Sequence, residues 1–344
     1  MTSPERETLR FNPDNATTDV VERVHTPDGS TRVHKQLRRT GTGTDTPAHW
    51  RSSSTPADWN HWAREAEVYA DPAFRASLAG TGLDLPAAEV VPHGDTTSLW
   101  LEDVPGTAGA DFALADHVAT ATALGRWQAR PPQPRPIWAS RGFLRAYSTS
   151  RPGDPGLVDD DAAWHRPLVR DNWPADLRAG WRRLLDHREH LVSVVERLPR
   201  TLCHLDAWAA NAIRRPSGEV VLLDWASGGD GAVGEDLGNW LPDACFDLFW
   251  PAERLGELEA ACWPAHLDGL RAGGWDGDER DVRLGVVASC VKYAWLLPLL
   301  LERAAEPEHD AYHRPVDAGH LYRQRGLVLF HLVRWCDEAL DLTG

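Results

Sequence analysis

The sequence predicts an α+β protein with two lobes, a small β-rich lobe over residues 1–104 and a larger, mainly helical lobe over residues 105–344. Three observations support this division. The chain has 344 residues, and single hydrophobic cores stop growing at about 250–300 residues. Alternating strand patterns are concentrated before residue 104, whereas long helical patterns follow residue 111. We therefore expect two lobes that share a cleft.

The first lobe begins with a predicted β-hairpin, in which DVVERVH and TRVHKQL flank a turn at Pro27, Asp28 and Gly29. Residues 38–56 are rich in Thr, Ser and Gly and predict a long surface loop. A helix over about 56–70 is expected next, because Thr55 can cap it and tryptophans recur behind the cap at helical spacing. A strand over 99–104 then ends the lobe.

The second lobe contains one strand-rich exception among its helical patterns. In residues 201–224, the polar loop HLDAWAAN is followed by AIRR, a turn at Ser217 and Gly218, and the strand EVVLLD. The most apolar later run, from Leu284 to Leu301, contains Lys292 and is interpreted as a buried helix rather than a membrane span. Lys292 itself is interpreted as a side chain that either snorkels to place its ammonium in solvent or pairs locally.

Composition and charge limit the classes of partner. The formal net charge of −15 disfavours binding to nucleic acid or to an anionic membrane surface, since both rest on cationic side chains. A neutral or cationic small molecule suits this charge better. The N-terminus has no apolar run typical of a signal peptide. The five cysteines form no CxxC pair, so we expect neither disulfides nor a zinc site, and a cytoplasmic location.

Three polar residues of the strand-rich segment suggest phosphoryl transfer, which needs a carboxylate to accept the proton of the attacking hydroxyl and oxygen ligands for Mg²⁺. Asp206 precedes Asn211 by five residues, so one tight loop can present both side chains. Asp224 ends an apolar strand, which suits a metal ligand held by a rigid element. Taken singly, each of the three could instead be an ordinary loop or turn residue.

A cation for the nucleotide phosphates is indicated by the rarity of lysine. All but two of the 36 basic residues are arginine. Lys35 lies on the second strand of the hairpin, where a flexible ammonium could reach phosphates. Glu65 shares a helix face with Trp62 and Tyr69 and is the preferred partner of Lys35, although a solvated helix charge is the alternative.

In order along the chain, Lys35, WNHWAREAEVY, LWLEDVPG, HLDAWAAN and LLDWASGGDGAVGEDLGNW resemble the aminoglycoside phosphotransferase and choline kinase-like family, a branch of the protein-kinase-like fold. The resemblance runs from about Asp19 to Trp240. It implies that Asp206 is the catalytic base, that Asn211 and Asp224 bind Mg²⁺, and that Lys35 and Glu65 form the ion pair that positions the phosphates.

The resemblance implies further roles that spacing alone does not. The backbone carbonyl of Glu102 and the amide of Val104 correspond to the groups that bind adenine, so ATP is the expected nucleotide, with GTP as the alternative. His204 and Asp236 correspond to residues that brace the catalytic loop. The expected reaction is transfer of the γ-phosphoryl group of ATP to a hydroxyl of an antibiotic, an amino alcohol or a related metabolite.

Two features depart from the family pattern. Leu205 stands where the family commonly has glycine, and DNATTDVVERVH, where a phosphate-covering loop is expected, contains no glycine. They motivate an alternative hypothesis, in which the chain is a catalytically degenerate kinase fold that binds nucleotide or ligand as a regulatory module. Against a protein kinase, DWA stands in place of DFG, and no APE segment follows.

Overall fold

The computed structural model describes residues 5–9, 11, 17–40, 51–150, 153–312 and 314–344. Strands dominate the N-terminal part of the chain, and three short pairs lie further on. The strands are β1 Arg6–Thr8, β2 Thr18–His25, β3 Thr31–Arg38, β4 Leu83–Asp84, β5 Ala88–His93, β6 Thr96–Glu102, β7 Thr107–Ala108, β8 Arg200–Cys203, β9 Ala212–Arg214, β10 Val220–Leu222, β11 Gly229–Ala232, β12 Asp310–Ala311 and β13 Arg314–Pro315.

Helices form most of the chain after residue 111. They are α1 Arg64–Tyr69, α2 Pro72–Ser77, α3 Leu114–Gln128, α4 Phe143–Ser150, α5 Asp161–Trp164, α6 Pro167–Arg170, α7 Leu177–Arg197, α8 Glu235–Phe246, α9 Leu255–Ala272, α10 Glu279–Ala288, α11 Leu296–Arg303 and α12 Ala318–Thr343. A β-sheet region followed by a helical region is the α+β architecture that the sequence predicts.

The N-terminal sheet has the order β1-β2-β3-β6-β5, and all of its neighbours are antiparallel. The predicted hairpin is confirmed as β2 and β3, and Gly29 in its turn has a φ of 84°, which favours glycine. The predicted loop over 38–56 falls partly outside the described residues. The segment expected to cover the phosphates does too, because residues 12–16 are not described.

The predicted helix over 56–70 is wrong in its first half, since α1 begins only at Arg64. Residues 53–63 turn instead, and Ser53 bridges to His61. The reason is the fully buried Arg64, whose guanidinium donates hydrogen bonds to the backbone carbonyls of Pro56, Asp58 and Trp59. Three carbonyls that converge on one guanidinium cannot all point along a helix axis, so the chain stays irregular.

The strand-rich segment of the second part is confirmed. β9 and β10 pair antiparallel around a turn in which Gly218 has a φ of 107°. The sheet they form also takes in β4 and β7, with the order β4-β10-β9-β7. Because β4 precedes residue 104 and pairs with β10 beyond it, strands from both sides of the expected lobe boundary share this sheet. The boundary at 104 remains a prediction.

Tryptophans supply the bulkiest side chains of the helical core, and Trp181, Trp225, Trp240 and Trp335 are among its largest fully buried side chains. Among the described residues, the one stretch long and apolar enough to span a membrane is Glu279–Arg303, of 25 residues. Its most apolar window has a mean hydropathy of 1.8 and is 89% buried inside the protein. This burial agrees with the prediction of a core segment from Leu284 to Leu301. The prediction of one helix is wrong, because α10 ends at Ala288, a 3-10 helix follows, and α11 begins only at Leu296.

Candidate active site

The candidate catalytic loop follows β8 and carries Asp206. Leu205 has a φ of 63°, the left-handed conformation that glycine adopts most readily. Its amide donates to Asp236 Oδ1 at 2.7 Å, and its carbonyl accepts from Asn239 Nδ2 at 3.3 Å and Lys292 Nζ at 3.1 Å. Leucine thus occupies the glycine-like backbone conformation because side chains on three sides hold its peptide groups.

Asp236 and His204 lie beneath this loop, fully buried. Asp236 accepts hydrogen bonds from the amides of His204 and Leu205 and from Gln128 Nε2, at 2.8, 2.7 and 2.7 Å. Burial raises the pKa of Asp236 to about 7, against the stabilising effect of these amides. His204 Nε2 lies 2.9 Å from the carbonyl of Leu223, and burial lowers the pKa of the imidazole. Both contacts agree with the bracing role that the family pattern assigns to them.

Asp206 and Asn211 are in direct contact, as their spacing suggests. Asn211 Nδ2 lies 3.1 Å from the carbonyl of Asp206 and 3.3 Å from its Oδ2. The register of β9 and β10 then brings Asp224 near, because the amide of Leu223 donates to the carbonyl of Asn211 at 2.8 Å. Asp224 itself has a φ of 57°, so the chain turns sharply as the strand ends.

Lys35 joins the N-terminal sheet to this site. Its Nζ lies 2.6 Å from Glu65 Oε2 and 3.2 Å from Asp224 Oδ1. Burial opposes the charge on Lys35, but the attraction of Asp224 and Glu65 outweighs it and raises the pKa of the ammonium. Burial raises the pKa of Glu65 to about 7, because the attraction of Lys35 does not offset burial and the charge of Asp224 adds to its effect. The predicted ion pair is therefore present, with Asp224 as its third member.

Lys292 is a site residue that sequence reasoning missed. Its Nζ lies 3.8 Å from Asp206 Oδ1, so its partner is the candidate base rather than a local residue of its own helical stretch. Burial opposes the charge on Lys292, but the attraction of Asp243 and Asp206 outweighs the effect of burial, so the pKa of the ammonium is raised. Its rarity is a signal in the sequence, since Lys292 is the only lysine besides Lys35, but rarity does not show which residue it contacts.

Glu102 and Val104 lie where the N-terminal sheet connects to the helical region. Glu102 ends β6, and its carboxylate forms a two-pronged ion pair with Arg215, with Nη1–Oε1 and Nη2–Oε2 distances of 2.5 and 2.7 Å. The hydrogen bonds from Arg215 lower the pKa of Glu102. The side chain of Glu102 is thus occupied by Arg215, whereas the adenine role was predicted for backbone groups only. That role remains a prediction.

Carboxylates and aromatic rings of the helical region lie beside the catalytic loop. Asp243 is half-buried, and burial raises its pKa to about 7. Asp247 is paired with Arg325 at 3.4 Å. Trp208, two residues after Asp206, packs with Phe249 and Tyr312 at ring-centroid distances of 5.9 and 5.6 Å.

The oxygen donors Asn211 and Asp224 fit a Mg²⁺ ion that is shared with nucleotide phosphates. In the described residues, no group of three or more His, Cys, Asp and Glu side chains could hold a metal ion by itself. Mg²⁺ in phosphoryl-transfer sites typically takes one or two protein oxygens and completes its octahedron with phosphates and water. Asp224 keeps 34% of its side chain exposed, which leaves room for such ligands.

Comparison with known proteins identifies the family. Residues 24–273 match the profile of the phosphotransferase enzyme family, APH. The chain belongs to this family. The APH match covers most of the chain and includes every candidate site residue named above except Lys292. A comparison with curated proteins gives no match.

Solved structures show the same fold as this APH family member. The amicoumacin kinase hAmiN, in complex with AMP-PNP, Ca²⁺ and Ami, is similar with a TM-score of 0.50 and 15% sequence identity, over 97% of this chain and 90% of that one. An aminoglycoside-3'-phosphotransferase of type VIII has a TM-score of 0.50 and 18% identity, over 86% and 95% of the two chains. At these identities the likeness shows the fold, which is protein-kinase-like as predicted.

Proposed function

We propose that this APH family member transfers the γ-phosphoryl group of ATP to a hydroxyl of a small molecule. The contact between Lys35 and Asp224 carries the proposal, because it unites two parts of the site that are 189 residues apart in the chain. A cation suited to phosphates then lies beside a carboxylate suited to Mg²⁺. The Asn211–Asp206 contact adds the candidate base.

In the proposed reaction, Asp206 accepts the proton of the acceptor hydroxyl as its oxygen attacks the γ-phosphorus. The new bond joins that oxygen to phosphorus, and the bond from the γ-phosphorus to the bridging oxygen of ADP breaks. Lys35, held by Glu65, binds the phosphates of the nucleotide. When bound by Asn211 and Asp224, Mg²⁺ supplies charge neutralisation on the phosphate oxygens.

The acceptor is proposed to be a neutral or cationic small molecule, such as a hydroxyl-bearing antibiotic or an amino alcohol. Two features support this class. The chain carries a formal net charge of −15, and the carboxylate of Asp243 lies close enough to those of Asp206 and Asp247 for their charges to interact. The related proteins include kinases for amicoumacin and aminoglycosides. Five buried free cysteines fit a proposed cytoplasmic location.

The decisive experiment measures transfer of γ-labelled phosphate from ATP and GTP to a panel of hydroxyl-bearing antibiotics and amino alcohols. Asp206→Asn should lower kcat by about 10²–10⁴-fold, the usual contribution of a general base. Asp171→Asn is the matched control, because Asp171 is exposed and pairs only with its neighbour Arg170, and it should keep the wild-type kcat. Absence of both transfer and ATP binding in the wild type would refute the proposal.

The degenerate-module alternative predicts a different result, namely ligand binding without Mg²⁺-dependent turnover. The leucine at position 205 no longer supports this alternative, because Leu205 adopts the backbone conformation expected of glycine. The other feature that motivated it, the glycine-free segment, lies partly outside the described residues. Turnover of ATP with any acceptor, abolished in Asp206→Asn, would exclude the module.

A further inference from the structure

Lys292 has an environment unlike that of a surface lysine. Its side chain is 4% exposed, and its ammonium contacts the carbonyl of Leu205 at 3.1 Å and Asp206 Oδ1 at 3.8 Å. The rings of Phe143, Tyr147 and Tyr293 surround the ammonium, with Nζ-to-centroid distances of 5.9, 5.5 and 5.7 Å. Aromatic faces attract cations, most strongly where water is excluded.

The identity of the residue indicates more than packing. A buried cation that only balanced charge could be arginine, which supplies all but two of the basic residues of this chain. Both exceptions are buried at the site, Lys35 against Asp224 and Lys292 against Asp206. An ammonium is a compact point charge that fits where a planar guanidinium does not.

We propose that Lys292 is a positioning residue for Asp206 in phosphoryl transfer. This inference rests on the proposed function. Lys292 is too deeply buried to touch a substrate, whereas Asp206 keeps 39% of its side chain exposed, so Lys292 acts through Asp206. Its ammonium attracts Oδ1, while Asn211 Nδ2 lies 3.3 Å from Oδ2. With one partner for each oxygen, the rotation of the carboxylate about its χ angles is set before the acceptor arrives.

The bond from Lys292 to the carbonyl of Leu205 fixes the loop that carries Asp206. It uses the peptide group next to Asp206, on the residue with positive φ. The carboxylate of Asp243 also attracts the ammonium. When Asp206 takes up the proton of the acceptor, Lys292 keeps its hydrogen bond to the carbonyl of Leu205.

The test separates kcat from KM in Lys292 variants. Lys292→Ala and Lys292→Met should lower kcat by about 10–100-fold, since a misplacement of about 1 Å at a reacting group can cost about 10²-fold. KM for ATP should change less than about threefold, because the nucleotide phosphates are assigned to Lys35. Ser289→Ala is the matched control. Ser289 is buried in the same stretch, and among the described residues its hydroxyl bonds only the carbonyl of Val286, so the kcat of this variant should equal that of the wild type.

Chemical rescue distinguishes positioning by the ammonium from a general packing defect. Ethylammonium or propylammonium should enter the space left in Lys292→Ala, between the three rings, and restore kcat at least about fivefold. Propanol, of similar size and without charge, should not. An unchanged kcat in Lys292→Met overturns the proposal, and so does a loss that the ammonium ions fail to relieve.

A measurement on the unmodified Lys292 side chain tests the proposal even if the Lys292 variants fail to fold or the wild type is inactive. Protein labelled with ¹⁵N-lysine has two side-chain ammonium signals, since the chain has two lysines. Asp206→Asn should shift the signal of Lys292, and Asp224→Asn that of Lys35. If the chemical shift of the Lys292 ammonium does not change in Asp206→Asn, the positioning role is refuted. A wild type without phosphoryl transfer refutes the proposed function instead.

Discussion

At the scale of single residues, Leu205 shows how the catalytic loop keeps its backbone without glycine. A left-handed conformation costs a non-glycine residue about 1–2 kcal/mol. Leu205 offsets this cost through its fully buried side chain, which packs with Phe143 and Cys203, and through the bonds to both of its peptide groups. The leucine that departs from the family pattern is therefore accommodated rather than disruptive.

Substitution of Leu205 tests this balance. Leu205→Ala loses the buried side chain and keeps the backbone strain, whereas Leu205→Gly loses the side chain and releases the strain. Both should melt below the wild type, because removal of a buried leucine costs about 2–5 kcal/mol. Leu205→Gly should be the more stable of the two by about 1 kcal/mol, measured by thermal unfolding. At Leu202, in strand β8, the order should be reversed.

Glu65 gives the protein a defined pH dependence. Its pKa of about 7 in the folded protein lies above the ordinary value of 4.5, so the folded state binds the proton more tightly than the unfolded state. The contribution of Glu65 to stability therefore falls as pH rises from about 4.5 to about 7, and the penalty persists above pH 7.

Glu65→Gln removes this titration. The melting temperature of the variant, relative to wild type, should rise between pH 5 and pH 8, by the equivalent of about 1–3 kcal/mol. Val68→Ala, a change in a fully buried and non-ionisable side chain of the same helix, should shift the melting temperature equally at both pH values. A Glu65→Gln difference that is the same at both would contradict the raised pKa.

Several residues of the site could be predicted from sequence, and one could not, for a physical reason. Asp206, Asn211 and Asp224 lie in one short segment, so local spacing predicts their proximity. Lys35 could be recognised because lysine is rare in this chain and Lys35 lies on a predicted strand. Lys292 is equally rare, but it lies in an apolar helical stretch 86 residues beyond Asp206, and helical periodicity does not show which loop such a side chain meets.

At the scale of elements, the error in the helix over 56–70 has a single cause. Its capping signal at Thr55 and its spaced tryptophans are real local preferences. The carbonyls of Pro56 and Trp59 nevertheless converge on the buried guanidinium of Arg64 instead of pointing along a helix axis. Arginine is seldom buried, so sequence gives no warning of such a role. The hairpin β2–β3 was predictable because its turn residues and strand alternation agree.

Glu259 connects three helices and allows a second test at this scale. From α9, its carboxylate contacts Arg283 of α10 at 2.7 Å and His331 of α12 at 2.8 Å. Burial alone would raise the pKa of Glu259, but His331 and Arg283 outweigh burial and lower it to about 2. The stabilisation is therefore present above about pH 4.5 and is lost as pH falls towards 2.

Glu259→Gln should destabilise the protein at pH 7 by about 2–4 kcal/mol, the equivalent of the pKa shift. The difference from wild type should shrink steadily between pH 5 and pH 3, which thermal unfolding at several pH values would record. Glu257→Gln, two residues away and paired with Arg254 on the surface, should cost less than about 1 kcal/mol at pH 7. Equal losses in the two variants would argue against the three-helix contact.

At the scale of the whole molecule, the site depends on contacts between distant parts of the chain. The N-terminal sheet supplies Lys35, the segment after β8 supplies Asp206, and α8 supplies Asp236. The order of these residues in sequence suggested the family, but only the fold shows that Lys35 bonds Asp224. A ligand that bridges these parts should stabilise them together.

Nucleotide binding should therefore raise the melting temperature of the whole chain. ATP with Mg²⁺ at about 100 times its Kd should add about 2.7 kcal/mol, a shift of several degrees, and ATP with a chelator should add less. Asp224→Asn should remove the Mg²⁺-dependent part of the shift, because it takes away the anionic metal ligand, while Asp337→Asn, paired with Arg183 on the surface, should retain it. A full Mg²⁺-dependent shift in Asp224→Asn would place the metal elsewhere, and the link between sheet and helices would then rest on Lys35 and Glu65 alone.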